Sequence, residues 1–201
     1  MLGRVGAVVD RGVRLMRNAY IDFRITGRFL GGRMRTNFPH LGVTAVANTN
    51  YAYLPALLDG RIGAEDVFVD VGCGKGRVLC WLLYRKFANK LYGIELEPEV
   101  AAKTRAYLSR YENVHIITGN VMENIPRDAT LFYLYNPFDE TRALQFKKAL
   151  EDTFLPLKKS IRVIYYYSHN IHLFEKDPRW TSQAISVQNH EAALLTLKAA
   201  E

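Results

Sequence analysis

Residues 67–79, V-F-V-D-V-G-C-G-K-G-R-V-L, constrain this chain more than any other stretch. Val67, Phe68 and Val69 have the β-branched and aromatic character of a strand buried on both faces. Asp70 follows at its carboxyl end, and Gly72, Gly74 and Gly76 then come at alternate positions. From Arg77 the spacing turns helical, through Val78, Leu79, Trp81, Leu82 and Leu83. A strand, a glycine loop and a helix in immediate succession place a nucleotide-like ligand at the end of a parallel sheet. Glycines suit the loop because it must turn sharply and let a ligand approach the backbone with no Cβ in the way. The spacing also narrows the ligand. A pyrophosphate fingerprint has the form G-x-G-x-x-G and offers a helix N-terminus to the phosphates. Here the form is G-x-G-x-G, with a carboxylate two residues ahead of the first glycine. That charge disfavours a phosphate and suits a cation.

Downstream, Leu91, Tyr92 and Ile94 form a second strand pattern ending in Glu95, nineteen positions after Gly76. A carboxylate at about that distance from a glycine loop is placed to accept hydrogen bonds from ribose hydroxyls. Glu97 alternates away and is expected to face solvent. Pro98 opens the next helix at its first position, where the missing N–H is harmless. Val114 to Ile117 is a third strand, followed by Thr118-Gly119-Asn120.

Asp70 to Gly76 resembles motif I of the class I S-adenosylmethionine-dependent methyltransferases, D-x-G-x-G-x-G. The resemblance extends over roughly residues 60–200. It implies that Asp70, Gly72, Cys73, Gly74 and Gly76 cradle a sulfonium nucleoside. It implies that Glu95, with Leu96 beside it, holds the ribose, and that Asn120 and Val121 hold the adenine, Asn120 through its side-chain carbonyl. Tyr53, in an aromatic and proline-containing stretch upstream of motif I, is a candidate to close over the cofactor; a packing role is equally open to it.

Thr130 to Tyr135 is a nearly all-apolar fourth strand ending in Asn136-Pro137-Phe138. That triplet resembles a shortened [DN]-P-P-[YF] motif of amino-methylating members of the family. It departs from the motif by lacking one proline, which weakens any inference of nucleic-acid base methylation. By this resemblance Asn136 receives the acceptor amine, and Pro137 and Phe138 shape its approach. Residues 141–155 form an amphipathic helix, and residues 161–167 a fifth strand leading to His169, a candidate proton acceptor. Alternating runs at 184–187 and 192–197 complete the sheet the family implies. The expected fold is therefore α/β: a doubly wound, seven-stranded, mostly parallel sheet with an antiparallel last strand and an N-terminal helical extension.

About half the residues are apolar, enough for a sizeable core, and no apolar run is long enough to span a bilayer. Cys73 and Cys80 are too few for a disulfide framework and no cluster has metal-ligand spacing, so reduced thiols, no metal and a cytoplasmic location are expected. Charge divides the chain in two. Residues 1–36 hold eight arginines against Asp10 and Asp22, so almost all of the net +7 lies there. The boundary is set at residue 38, with a methyltransferase domain over 39–201. Within the extension Leu2, Val5, Val9, Val13, Met16, Tyr20 and Phe23 share one helical face, with Arg4, Arg11 and Arg14 on the opposite face and Arg17 nearer the flank. Three roles remain open for that face: packing on the domain with the arginines solvated, a lid or dimer contact, or an anionic membrane surface or nucleic acid. The activity implied is methyl transfer from S-adenosyl-L-methionine to a nitrogen or oxygen acceptor, a protein lysine being one candidate. Nucleic acid, a small metabolite and a binding module without chemistry are the alternatives.

Overall fold

The computed structural model describes residues 2–32, 49–188 and 190–199, with side chains from Arg11 onward. The boundary at residue 38 lies outside the described residues. The chain opens with helix α1 (Leu2–Thr26) and, after the undescribed segment, a short α2 (Leu54–Leu58). Strands and helices then alternate: β1 (Phe68–Val71), α3 (Arg77–Tyr84), β2 (Leu91–Glu95), α4 (Pro98–Leu108), β3 (Val114–Thr118), β4 (Leu131–Tyr135), α5 (Glu140–Phe154) and β5 (Ile161–Tyr166). A one-turn α6 (His172–Glu175) leads to β6 (Trp180–Val187) and β7 (His190–Leu197).

The seven strands form one sheet in the order β3-β2-β1-β4-β5-β7-β6. All pairings from β3 through β5 are parallel, and β7 runs antiparallel between β5 and β6. The strand order reverses at β1, which pairs with β2 on one side and β4 on the other. In a doubly wound sheet, ligands bind outside the carboxyl ends of the strands at such a switch point.

Period-two alternation sends each strand's side chains into two cores. Phe68, Leu131, Tyr133, Ile164 and Tyr166 pack under α1 to α4. Val69, Val71, Phe132, Leu134, Val163 and Tyr165 pack under α5 and α6. Phe132 sits between Phe146 and Phe154 of α5, with centroids 6.3 and 5.9 Å away. The last two strands run longer than their alternating cores suggest. Thr181 to Ala184 are all exposed, as an edge strand tolerates, so no hydrophobic rhythm marks the start of β6.

Helix α1 packs against α3 and α4, but not through its apolar stripe. Val13, Met16, Tyr20 and Phe23 are exposed, while Asn18, Ile21, Asp22 and Ile25 are buried. The reason is an ion pair that no hydropathy pattern encodes. Asp22 is fully buried and its Oδ2 accepts from Arg77 Nη2 at 2.7 Å, at the first turn of α3. Tyr51 donates to Asp22 Oδ1 at 2.7 Å, and the Leu30 N–H donates to Oδ2 at 3.1 Å. Arg77 also stands 5.2 Å from the Tyr51 ring, which stacks on Trp81. A buried arginine at this point on α3 therefore selects the face of α1 that carries the aspartate.

Candidate active site

The glycine loop is held in shape by the strands beneath it. The N–H groups of Gly72 and Cys73 both donate to the Ile94 carbonyl, at 2.9 and 3.0 Å. Gly72, Gly74 and Gly76 all take left-handed φ values, of 69°, 51° and 72°. L side chains rarely adopt that region, so the alternate-glycine spacing is a backbone requirement. Below the loop, Gly93 of β2 leaves room for it: a Cβ there would lie 2.8 Å from Cys73 Sγ and 2.9 Å from both Ile116 and Leu79. Lys75 reaches out of the loop to donate to the Gly31 and Gly32 carbonyls at 2.6 and 3.1 Å, which ties the segment after α1 to the loop.

Two carboxylates meet here. Asp70 is buried in β1, and Glu95 is buried at the end of β2. Glu95 grips the loop from below: Oε2 accepts from Gly74 N at 2.8 Å and Oε1 from Glu97 N at 2.9 Å. Each of its oxygens keeps a further lone pair for a ligand hydroxyl. Asp70 has no ion-pair partner among the described residues. Burial, and secondarily the nearby Glu95, push its carboxyl up to about 8. Burial likewise raises Glu95, with backbone donors from Glu97, Gly74 and Leu96 opposing. Burial and both carboxylates push the Cys73 thiol well up, so it stays protonated and is no nucleophile. Two buried carboxyl groups, with no ion pair to either among the described residues, face a cradle of bare backbone. That arrangement fits a ligand that carries positive charge.

Thr49, Asp70, Gly72, Cys73, Arg77, Val78, Tyr133 and Tyr135 line a small open pocket at the switch point. The Thr49 and Tyr133 hydroxyls are 3.0 Å apart and close one side. Thr49, Tyr133 and Tyr135 are site residues that the sequence pattern did not single out. Tyr133 and Tyr135 occupy alternate positions of a central strand, where core packing is the ordinary reading.

The other anticipated residues are partly gathered. The Gly119 N–H donates to the Glu95 carbonyl at 2.9 Å, which brings Asn120 and Val121 beside the end of β2. Asn120 caps a short 3-10 turn, Val121–Glu123, its Oδ1 accepting from Met122 N at 3.2 Å. Leu96 is half-buried between Glu95 and Glu97. Glu97, expected in solvent, is buried, because its backbone N–H is drawn in by the Glu95 carboxylate. Pro137 lies against the loop, 3.6 Å from where a Cβ on Gly72 would stand. Asn136 takes a left-handed φ of 36°, and its Oδ1 accepts from the Tyr165 hydroxyl at 3.2 Å. Three residues lie elsewhere. Phe138 turns its ring onto Phe146 at 5.4 Å, so Tyr133 and Tyr135, not Phe138, form the pocket's aromatic wall. Tyr53 packs against His190 and Tyr166, at 5.4 and 6.2 Å. His169 is exposed, its ring 6.0 Å from Tyr167.

Residues 69–132, spanning the glycine loop, both carboxylates and the start of β4, match the family model of a methyltransferase domain. Residues 69–132 are similar to a methyltransferase domain, and the fold around them is the class I methyltransferase fold. Solved structures carry the same fold. An RNA methyltransferase from Salinibacter ruber in complex with S-adenosyl-L-homocysteine is 18% identical, with a TM-score of 0.61 over 78% of this chain and 96% of that one. A methyltransferase from Pyrococcus furiosus is 15% identical, with a TM-score of 0.59 over 95% and 99%. Human N-acetylserotonin methyltransferase in complex with S-adenosylmethionine is 14% identical, with a TM-score of 0.57 over 75% and 52%. No curated protein matches the sequence.

S-adenosylmethionine fits this cradle, where it would supply a methyl group on positively charged sulfur. The chain's own contribution is positional. The carboxyl pair would favour a cationic ligand and the glycine loop would admit it against the backbone, in a pocket lined by Thr49, Tyr133 and Tyr135. No side chain needs to become a covalent intermediate, in keeping with a Cys73 thiol held protonated. Holding reacting groups in line is worth about 7–11 kcal/mol of barrier, which is where such an enzyme gains its rate.

Proposed function

We propose that the methyltransferase acts on an amine nitrogen, with a protein lysine among the amines the site would accept. The observation that carries the reading is the loop after β4. Asn136 is held left-handed at φ 36°, in a region that costs a non-glycine residue about 1–3 kcal/mol and persists where the surroundings over-determine it. Pro137, the next residue, abuts Gly72 of the cofactor loop. An amide oxygen and a backbone carbonyl at this position can accept hydrogen bonds from an NH₂ group and orient its lone pair. The pocket wall supports the same acceptor. Asp70, with Tyr133 and Tyr135 beside it, lines the pocket and favours a group that arrives as an ammonium.

The fold itself is silent on the acceptor, since relatives of the same fold are named for RNA and for O-methylation. The test is tritiated methyl transfer into matched panels of primary amines, lysine peptides, alcohols, catechols and short RNAs. Asn136→Gly keeps the left-handed backbone while removing the amide. It should leave cofactor affinity unchanged and lower turnover on an amine by about a hundredfold, the scale expected for misplacing a reacting group. Transfer confined to hydroxyl or RNA acceptors, or full activity in Asn136→Gly, would refute the assignment.

A further inference from the structure

The exposed face of α1 is unusual for a helix packed on a domain. Val13, Met16, Tyr20 and Phe23 are 53, 67, 59 and 55% exposed, and they recur at spacings of three and four. On a helix of 3.6 residues per turn they fall within roughly 80° of arc, a continuous stripe turned away from the buried Ile21 and Ile25. Tyr84 of α3, itself exposed, meets Tyr20 edge to face at 6.3 Å and widens the stripe beyond the helix. Arg17 and Arg24 border the stripe on one side, both exposed. The helix sits in the segment that carries almost all of the chain's net positive charge.

We propose that this face of α1 lies in the interfacial layer of an anionic lipid bilayer, apolar stripe inserted and bordering arginines on the headgroups. Charge complementarity selects this occupant. A second copy would bring two arginine-rich helices together, and like charges across an interface are strongly disfavoured. A nucleic acid would satisfy the arginines but leave the exposed aromatic and aliphatic groups uncovered. An anionic membrane surface satisfies both. No helix among the described residues is long and apolar enough to cross a membrane, so the helix lies on the bilayer plane. The inner face carries the consequence inward. Asp22 binds Arg77, and the Gly31 and Gly32 carbonyls bind Lys75 of the glycine loop, so the docked helix fixes the cofactor site relative to the membrane. The inference is independent of which acceptor the enzyme uses.

Co-sedimentation tests it, with vesicles of pure phosphatidylcholine and of equal parts phosphatidylcholine and phosphatidylglycerol. The full chain should sediment with the anionic vesicles and stay in solution with the neutral ones. The double variant Met16→Ser, Phe23→Ser changes only exposed positions. It should partition about tenfold or more weakly, since burying either side chain in lipid is worth at least that factor. Its thermal midpoint and S-adenosylhomocysteine affinity should be unchanged. Arg17→Gln with Arg24→Gln should weaken binding to the anionic vesicles and reduce its salt dependence. Failure of the full chain to sediment, equal binding to both vesicle types, or undiminished binding by the serine variant would overturn the proposal. So would a lipid-free dimer in light scattering that the serine variant dissociates.

Discussion

Asp70 provides the sharpest quantitative expectation. Its carboxyl is held near 8 by burial and by Glu95, and no cation among the described residues forms an ion pair with it. A cationic cofactor requires the ionised form, so the protein must give up a proton to bind. Apparent affinity then follows the ionised fraction, which rises from about 1% at pH 6 to about 9% at pH 7 and about half at pH 8. Binding should therefore tighten about ninefold between pH 6 and 7 and about fivefold more between pH 7 and 8. Calorimetric titration with S-adenosylmethionine, in buffers of different ionisation enthalpy, reads both affinity and protons released. Close to one proton should leave Asp70 per ligand bound at pH 7. Asp70→Asn removes that titration while keeping shape, so it should bind more weakly at pH 8 and show only the ligand's own amino-group limb. Stability gives an independent check of sign. The folded carboxyl binds its proton more tightly than the unfolded one, so the ligand-free protein loses stability as pH rises from about 4 to 8. Saturating ligand should offset that loss. Affinity that is flat from pH 6 to 8, or equally sloped in Asp70→Asn, would refute the reasoning.

The remaining expectations concern the supports of the site. Asp22→Ala leaves Arg77 buried without its partner and should cost about 3–5 kcal/mol in urea unfolding, while Asp22→Leu with Arg77→Met should recover most of it. Gly93→Ala pushes a methyl into Cys73, Ile116 and Leu79; it should cost about 1–3 kcal/mol and, because Cys73 belongs to the loop, weaken S-adenosylhomocysteine binding in calorimetry. Tyr133→Phe removes the partner of the buried Thr49 hydroxyl and should lower the unfolding free energy by about 1–3 kcal/mol, with Thr49→Val added to Tyr133→Phe recovering part.

What could be read along the chain and what could not divide by the range of the interaction. The glycine loop was legible because left-handed φ at alternate residues is a local demand that only glycine meets cheaply. The mostly parallel sheet was legible in the alternation of apolar runs with helical patterns, and its seven strands in the family resemblance; the strand order was not. Asp70 and Glu95 were legible because strands β1 and β2 are neighbours in register and both end at the loop. Glu97 departs from its expected place because alternation says which face a residue points to only in a regular strand, and Phe138 because its likeness to a motif does not fix its ring; both lie just past a strand end. There, a neighbouring ring or a carboxylate decides the direction.

Helix α1 shows the limit most clearly. Its apolar stripe was legible, but its role was not, because the spacing of apolar residues marks a face without naming what covers it. The decisive residue was Asp22, one of two acids in an arginine-rich segment, whose partner is 55 positions away. Burying Asp22 against Arg77 turned the apolar stripe outward. The arginine excess and the exposed stripe are then two aspects of one arrangement: a helix fastened to the cofactor loop through a buried aspartate and left with its greasy side for a surface beyond the chain.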